Sequence, residues 1–262
     1  MRVLLLAALS ALSGSAQVIT GVGNGANFQE TIAAHSVGVV VGSGLSEATC
    51  SAPSVPLPRI LCGVRVVISA GPDSVDAPLY FVSPTQVNFQ VPISWGRLTL
   101  CIGTTCRTIV VDFQAPAIFE FQQSPGNIIP IITHLDGSLV TQQNPAKNGE
   151  TIVIWAQGMG VFDFNSLRFP GDGEAAPGNP PVEFLTHAAV QVGTDGPTGG
   201  ERPPIQFQGL SPGSVGLAQF NVKVEREFQQ FCRPAPCVFP SGPLPIWIDG
   251  LLKSKKVTLW IE

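Results

Sequence analysis

Two stretches decide the fold: residues 77–92, APLYFVSPTQVNFQVP, and residues 209–224, GLSPGSVGLAQFNVKV. Each holds an apolar residue followed by Ser-Pro, Ser83-Pro84 in the first and Ser211-Pro212 in the second. Each then carries Gln-x-Asn, Gln86 with Asn88 and Gln219 with Asn221. Proline fixes φ and keeps the residue before it extended, so Ser-Pro reads as a turn between strands. Side chains two apart share a strand face. Gln86, Asn88 and Gln90 therefore line one side while Val87, Phe89 and Val91 enter a core. Gln219, Asn221 and Lys223 alternate in the same way with Phe220, Val222 and Val224. A motif used twice points to a repeated β-unit. Amides on a strand face suit a polar ligand such as a sugar or hydrogen bonds to neighbouring loops. Use of the same amides in both copies favours the structural role.

Working outward, the repeat extends in order. Val39–Leu45 parallels Ile154–Met159, a buried strand entering a Gly-rich bend. Val64–Ile68 parallels Ala189–Val192, and Leu98–Gly103 parallels Leu244–Gly250. Each half closes on a last strand, Ile109–Phe113 or Val257–Ile261. The chain's 28 Gly and 24 Pro punctuate short runs rich in Val, Ile, Phe and Thr, the pattern of an all-β sandwich. Eleven strands are expected, at 37–41, 64–69, 86–91, 98–102, 108–113, 151–157, 189–192, 205–208, 218–224, 244–248 and 256–261. The expected fold class is all-β, two tandem Ig-like β-sandwich domains at 17–114 and 115–262. They join at the apolar segment Ala115–Phe119, too stiff for a flexible linker.

Residues 1–16 read as a secretory signal peptide: Met1-Arg2, the apolar run Val3–Leu12, then small residues to Ala16. The run falls short of the about 20 apolar residues that span a bilayer. No later segment reaches that length, so no membrane insertion is expected after cleavage. The expected location is secreted or cell-surface. A net charge of -4 with 12% charged residues argues against nucleic acid as a partner, which requires a basic face.

Six Cys fall into three local pairs, Cys50 with Cys62, Cys101 with Cys106, and Cys232 with Cys237. In an exported chain an even count favours disulfides. The Cys-x4-Cys spacing of two pairs would also suit zinc, but no His lies near, and no metal or other cofactor is expected.

His35, His134 and His187 sit in no nucleophile motif. His134 precedes Leu135-Asp136-Gly137, a hairpin turn. Acids such as Asp136, Glu150, Asp163 and Asp172 show no spacing that selects a glycosidase pair. Asp163 and Asp172 lie in a Gly/Pro-rich loop, 161–181, which lacks the acid pattern of an EF-hand. No catalytic residue is expected. Trp95, in a loop, and Asp163 and Asp172 are the candidate contact residues, since binding sits on sandwich loops. Trp155, Trp247 and Trp260 lie on strands, where Trp usually fills space between elements.

Several of these stretches together resemble the uncharacterised C-terminal domain of exported Solibacter and related Acidobacteria proteins. The shared elements are Asn24–Phe28, Gly42-Ser43-Gly44-Leu45, Ala77–Pro92, Ala115–Phe119, Asp136-Gly137-Ser138, Asn144-Pro145-Ala146-Lys147 and Gly209–Asn221. The resemblance covers almost all of the exported part. It implies tandem Ig-like sandwiches of the IPT/TIG type outside the cytoplasm, and no established activity. Ala33-Ala34-His35-Ser36 replaces the family's Pro-Gly-Ser-like turn, and the Cys pairs lie outside its pattern. The expected function is a non-enzymatic Ig-like module for surface adhesion, assembly or protein interaction; the alternative is an extracellular carbohydrate-binding module. The partner is accordingly an unknown protein or an extracellular polysaccharide.

Overall fold

Strands β3 (Val37–Ser43) and β8 (Gln86–Gln90) form the centre of the first half, with Val39 opposite Asn88 and Val40 opposite Val87. The computed structural model describes residues 16–160, 169–184, 189–193, 202–225, 227–228, 237–238, 241–249 and 253–262. Their regular elements are all strands. In chain order, those of the first half are β1 (Val18–Asn24), β2 (Ile32–Ala33), β3, β4 (Cys50–Ser51), β5 (Val66–Ala70), β6 (Asp73–Asp76), β7 (Leu79–Val82), β8, β9 (Gly96–Ile102) and β10 (Thr105–Asp112). Those of the second are β11 (Ala117–Ile118), β12 (Glu120–Ser124), β13 (Asn127–Pro130), β14 (Ile132–His134), β15 (Thr151–Gln157), β16 (Ala189–Val192), β17 (Ile205–Leu210), β18 (Ala218–Lys223), β19 (Glu227–Phe228), β20 (Cys237–Val238), β21 (Gly242–Asp249) and β22 (Val257–Ile261). All eleven expected strands are present, with ends shifted by up to three residues.

The first half is a sandwich of two five-stranded sheets, in the orders β1-β3-β8-β7-β4 and β2-β10-β9-β5-β6. Between them lies a core that includes Val40, Val66, Leu79, Val87, Phe89 and Leu100. The second half repeats the plan. One sheet runs β11-β15-β18-β17, with β14 also on β15; the other runs β16-β21-β22. Ile152, Ile154, Phe220, Ile246 and Ile248 are buried between them. The alternation read from the sequence holds: Val87 and Phe89 are buried beside half-buried Gln86 and Asn88, as Phe220 and Val222 are beside Gln219 and Asn221. Fold class is therefore all-β with tandem Ig-like sandwiches.

The duplication is written into the pairing. β3-β8-β7 corresponds to β15-β18-β17, and β10-β9-β5 to β22-β21-β16. Asn88 faces Val39 on one side and Phe81 on the other; Asn221 faces Val153 and Phe207. Even the irregularity repeats. The register slips between Leu79 and Phe81, and again between Ile205 and Phe207, just beyond the Asn in each case. Tyr80 and Gln206 are the extra residues. Such a bulge re-aims a side chain and strengthens local twist.

The Cys50–Cys62 and Cys101–Cys106 disulfides are formed. The second joins residues directly opposite on β9 and β10, with Cα atoms 4.1 Å apart. That is the close approach of a non-hydrogen-bonded antiparallel pair. The Cys232 pairing and residues 1–15 of the expected signal segment lie outside the described residues. Among the described residues, no helix is long and apolar enough to cross a membrane.

Candidate functional site: the seam between the sandwiches

The two copies of the motif do the same local work. Ser83 Oγ accepts hydrogen bonds from the Gln86 amide at 3.0 Å and from the Thr85 amide at 3.4 Å, which closes the Ser-Pro turn. In the second copy the Ser211 amide reaches across a longer turn to the Leu217 carbonyl at 2.8 Å. Pro84 and Pro212 sit at the outer side of these turns. Gln86 Nε2 donates to Asn88 Oδ1 at 2.7 Å, and Gln219 Nε2 to Asn221 Oδ1 at 2.8 Å. Partly buried amides that pair along one strand are satisfied by the scaffold.

From the motif the structure leads to the junction. Gln157, at the end of β15 and 1% exposed, grips the backbone of Val37 at the start of β3. Its Oε1 accepts from the Val37 amide at 2.9 Å and its Nε2 donates to the Val37 carbonyl at 3.1 Å. Gln114 to Ile118 are buried. The Ala115 amide donates to the Gly158 carbonyl at 2.8 Å. Gly158 has φ +76°, and a Cβ there would fall 1.9 Å from the Ala115 oxygen. Only glycine fits so close an approach. The bulge residue Tyr80 leaves its own half and donates to the Val215 carbonyl at 2.9 Å, in the turn of the second motif copy. Burial drives its phenol pKa upward. Its counterpart Gln206 stays within the second half, accepting from Thr151 Oγ1 at 2.8 Å.

The 169–174 segment closes the seam from the other side. Phe169 packs against both cores. The Gly173 amide donates to Gln90 Oε1 at 2.5 Å, and the Leu57 amide to the Gly173 carbonyl at 2.8 Å. Phe169 also meets the His35 ring edge-on, with centroids 4.7 Å apart. His35 is 4% exposed, and neither ring nitrogen makes a hydrogen bond. Burial pushes its pKa down to about 4, opposed by the nearby Pro170 backbone and its own.

Asp172 stands at this seam. Burial pushes its carboxyl pKa upward, opposed by the Ile93 amide and the Arg59 guanidinium. Arg59 also reaches the Asp172 carbonyl at 3.4 Å. Trp95 is 52% exposed and meets Phe113 edge-on, with centroids 5.9 Å apart. Asp163 and His187 lie outside the described residues. His134 is not at this seam. Its Nδ1 lies 2.8 Å from Glu150 Oε1, and its Nε2 lies 3.2 Å from the Asn144 carbonyl, which ties β14 to the segment that follows it. Sequence reasoning missed Gln157, Tyr80 and Gln90 as junction residues. Tyr80, the chain's one Tyr and placed inside the motif, was the only available signal.

The described residues hold no group of three or more His, Cys, Asp or Glu able to bind a metal. No family model matches the chain, and no curated protein matches it. Two solved structures are similar at low scores. A surface glycan-binding protein of Prevotella bryantii is 10% identical with TM-score 0.25, over 93% of this chain and 41% of that one. FdeC, an Escherichia coli adhesin, is 11% identical with TM-score 0.25, over 94% of this chain and 66% of that one. This chain thus spans less than two thirds of either neighbour, and likenesses this distant carry no argument about its function.

Proposed function

We propose that this protein is an exported, non-enzymatic binding module: two kindred sandwiches locked end to end, serving adhesion, assembly or protein interaction at the cell surface. The observation that carries the reading is the use of the distinctive polar residues. Gln157, Tyr80, Gln90 and both Gln-Asn pairs are occupied in holding the frame. The exposed aromatic Trp95 stands on a loop of the first sandwich, edge-on to Phe113. Rigid elements that present loop residues are the arrangement of a recognition scaffold. Two disulfides support an oxidising compartment. The resemblance to the C-terminal domain of exported Acidobacteria proteins supports the same reading.

The test is a cell-surface assay. Fluorescently labelled protein should bind saturably to the outside of the producing cells, and Trp95→Ala should weaken that binding several-fold without changing the circular dichroism. Clear turnover in a panel of esterase, protease and glycosidase substrates, or a cytoplasmic location on fractionation, would refute the proposal.

A further inference from the structure

The hairpin of β12 and β13, the segment after β14 and the outward face of β22 enclose a groove of about 290 Å³. Gln123 and Asn127 stand on the hairpin wall, Gln142 and Gln143 on the opposite wall, and Thr258 and Trp260 on β22. No residue lining it carries a charge. Two other grooves of similar size differ in this respect. One is lined in part by Glu30, Arg107 and Asp112, the other by Glu183 and Arg202.

The walls are built. Asn127 Nδ2 donates to Gln123 Oε1 at 3.0 Å across the hairpin. The wall after β14 is pinned by a backbone turn between Thr141 and Asn144. It is also pinned by the Ala146 amide, which donates to the Trp260 carbonyl at 2.8 Å. Trp260 is half-buried and packs partly on the second core, with Pro130 and Val140 among the other lining residues. Gln142 and Gln143 are exposed, and their side chains make no hydrogen bond among the described residues.

An indole held at a fixed angle offers a flat apolar plate. Primary amides offer both donors and acceptors. A charged ligand would find no counter-charge here, and an apolar one would strand the amides. The chemistry that uses both is a ring with an apolar C–H face and hydroxyls around its rim. We infer that this groove binds a neutral glycan. One sugar ring lies against Trp260, and its hydroxyls bond to Gln142, Gln143 and the Gln123–Asn127 pair. The inference rests on the binding-module reading above and supplies the class of ligand.

The test titrates the purified chain with cellohexaose, xylohexaose, laminarihexaose and mannohexaose, with hexagalacturonate as the charged control. Binding is followed by calorimetry and by the Trp indole N–H signals in NMR. At least one neutral hexaose should bind saturably with a Kd of about 10 μM to 1 mM, shifting the indole signal that disappears in Trp260→Phe. Trp260→Ala should weaken binding at least tenfold and Trp260→Phe about threefold, following the size of the stacking plate. Gln142→Ala/Gln143→Ala, which alters exposed positions only, should weaken it about tenfold without touching stability. Hexagalacturonate should bind at least tenfold more weakly. Two results would overturn the inference: no saturation by any of the four neutral hexaoses, or binding that both the Trp260→Ala and the double-amide variants leave unchanged. In either case binding of the labelled chain to cells, measured separately, would still stand or fall on Trp95.

Discussion

His35 shows how one residue of the seam contributes to the pH dependence of stability. Its ring is buried against Phe169 without a hydrogen bond, and burial pushes its pKa from 6.5 to about 4. The folded chain therefore refuses a proton that the unfolded chain accepts. Stability is fully present above pH 6.5 and falls as the pH drops toward 4, by about 1.4 kcal/mol per unit. Asp172 acts with the opposite sign, since burial raises its pKa and protonation eases its desolvation. The His35 contribution is therefore read as a difference between variants. Urea unfolding at pH 7, 6 and 5 should show wild-type stability falling by about 1–2 kcal/mol more than that of His35→Asn. Asn is the fitting replacement because His35 has φ +60°, a left-handed conformation that Asn tolerates. Parallel pH profiles for the two proteins would show that the ring is not the titrating group.

At the scale of the element, what the sequence reveals follows from how locally each strand is specified. β8 and β18 alternate apolar and polar residues against a core, and that period is visible in the chain itself. β12, Glu-Phe-Gln-Gln-Ser, has no such period, because its hairpin pairs only with β13 and adds no residue to either core cluster. β1 carries two Gly in seven residues and does not read as a strand; its place is given by pairing to β3. The candidate site divides in the same way. Trp95 can be singled out as a candidate because an aromatic in a loop is a local feature. The Gln157 grip on Val37 cannot, because it joins residues 120 positions apart. β4 is a further case of support from outside the strand. Two residues long, it caps the edge of β7, and the Cys50–Cys62 disulfide anchors it. Bare strand edges invite pairing with other chains. Cys50→Ala/Cys62→Ala should lower stability by about 2–3 kcal/mol, the entropy cost of releasing a loop of this length. Hydrogen exchange should quicken at the Ala52 amide, which bonds to the Tyr80 carbonyl at 2.8 Å. Cys101→Ala/Cys106→Ala, which opens a much shorter loop, should cost less; equal losses would contradict the loop-length account.

For the whole molecule, the question is whether two sandwiches of one plan behave as one body. Each has its own core and its own pair of sheets, so each has the means to unfold separately. Against that stand the contacts across the junction: the two-bond grip of Gln157 on Val37, the Tyr80 bond to Val215, the Gly173 bond to Gln90, and Phe169 shared between cores. Buried polar groups that lose a partner each cost about 1–3 kcal/mol. Removing the Gln157 side chain would cut both of its bonds across the junction and strand the Val37 amide, while the Val37 carbonyl keeps the Gly25 amide at 2.8 Å. Wild type should therefore melt in one calorimetric transition. Gln157→Ala should melt in two, the first at a lower temperature, and its small-angle scattering envelope should lengthen as the halves separate. Gln157→Glu should behave much like the alanine variant at neutral pH, since its carboxylate accepts from the Val37 amide but cannot donate to the carbonyl, and it carries a charge into a buried place. A single transition at an unchanged temperature in both variants would mean that the remaining junction contacts, among them Tyr80 to Val215, Gly173 to Gln90 and the shared Phe169, suffice to couple the halves, and that the clamp contributes nothing to their cooperation.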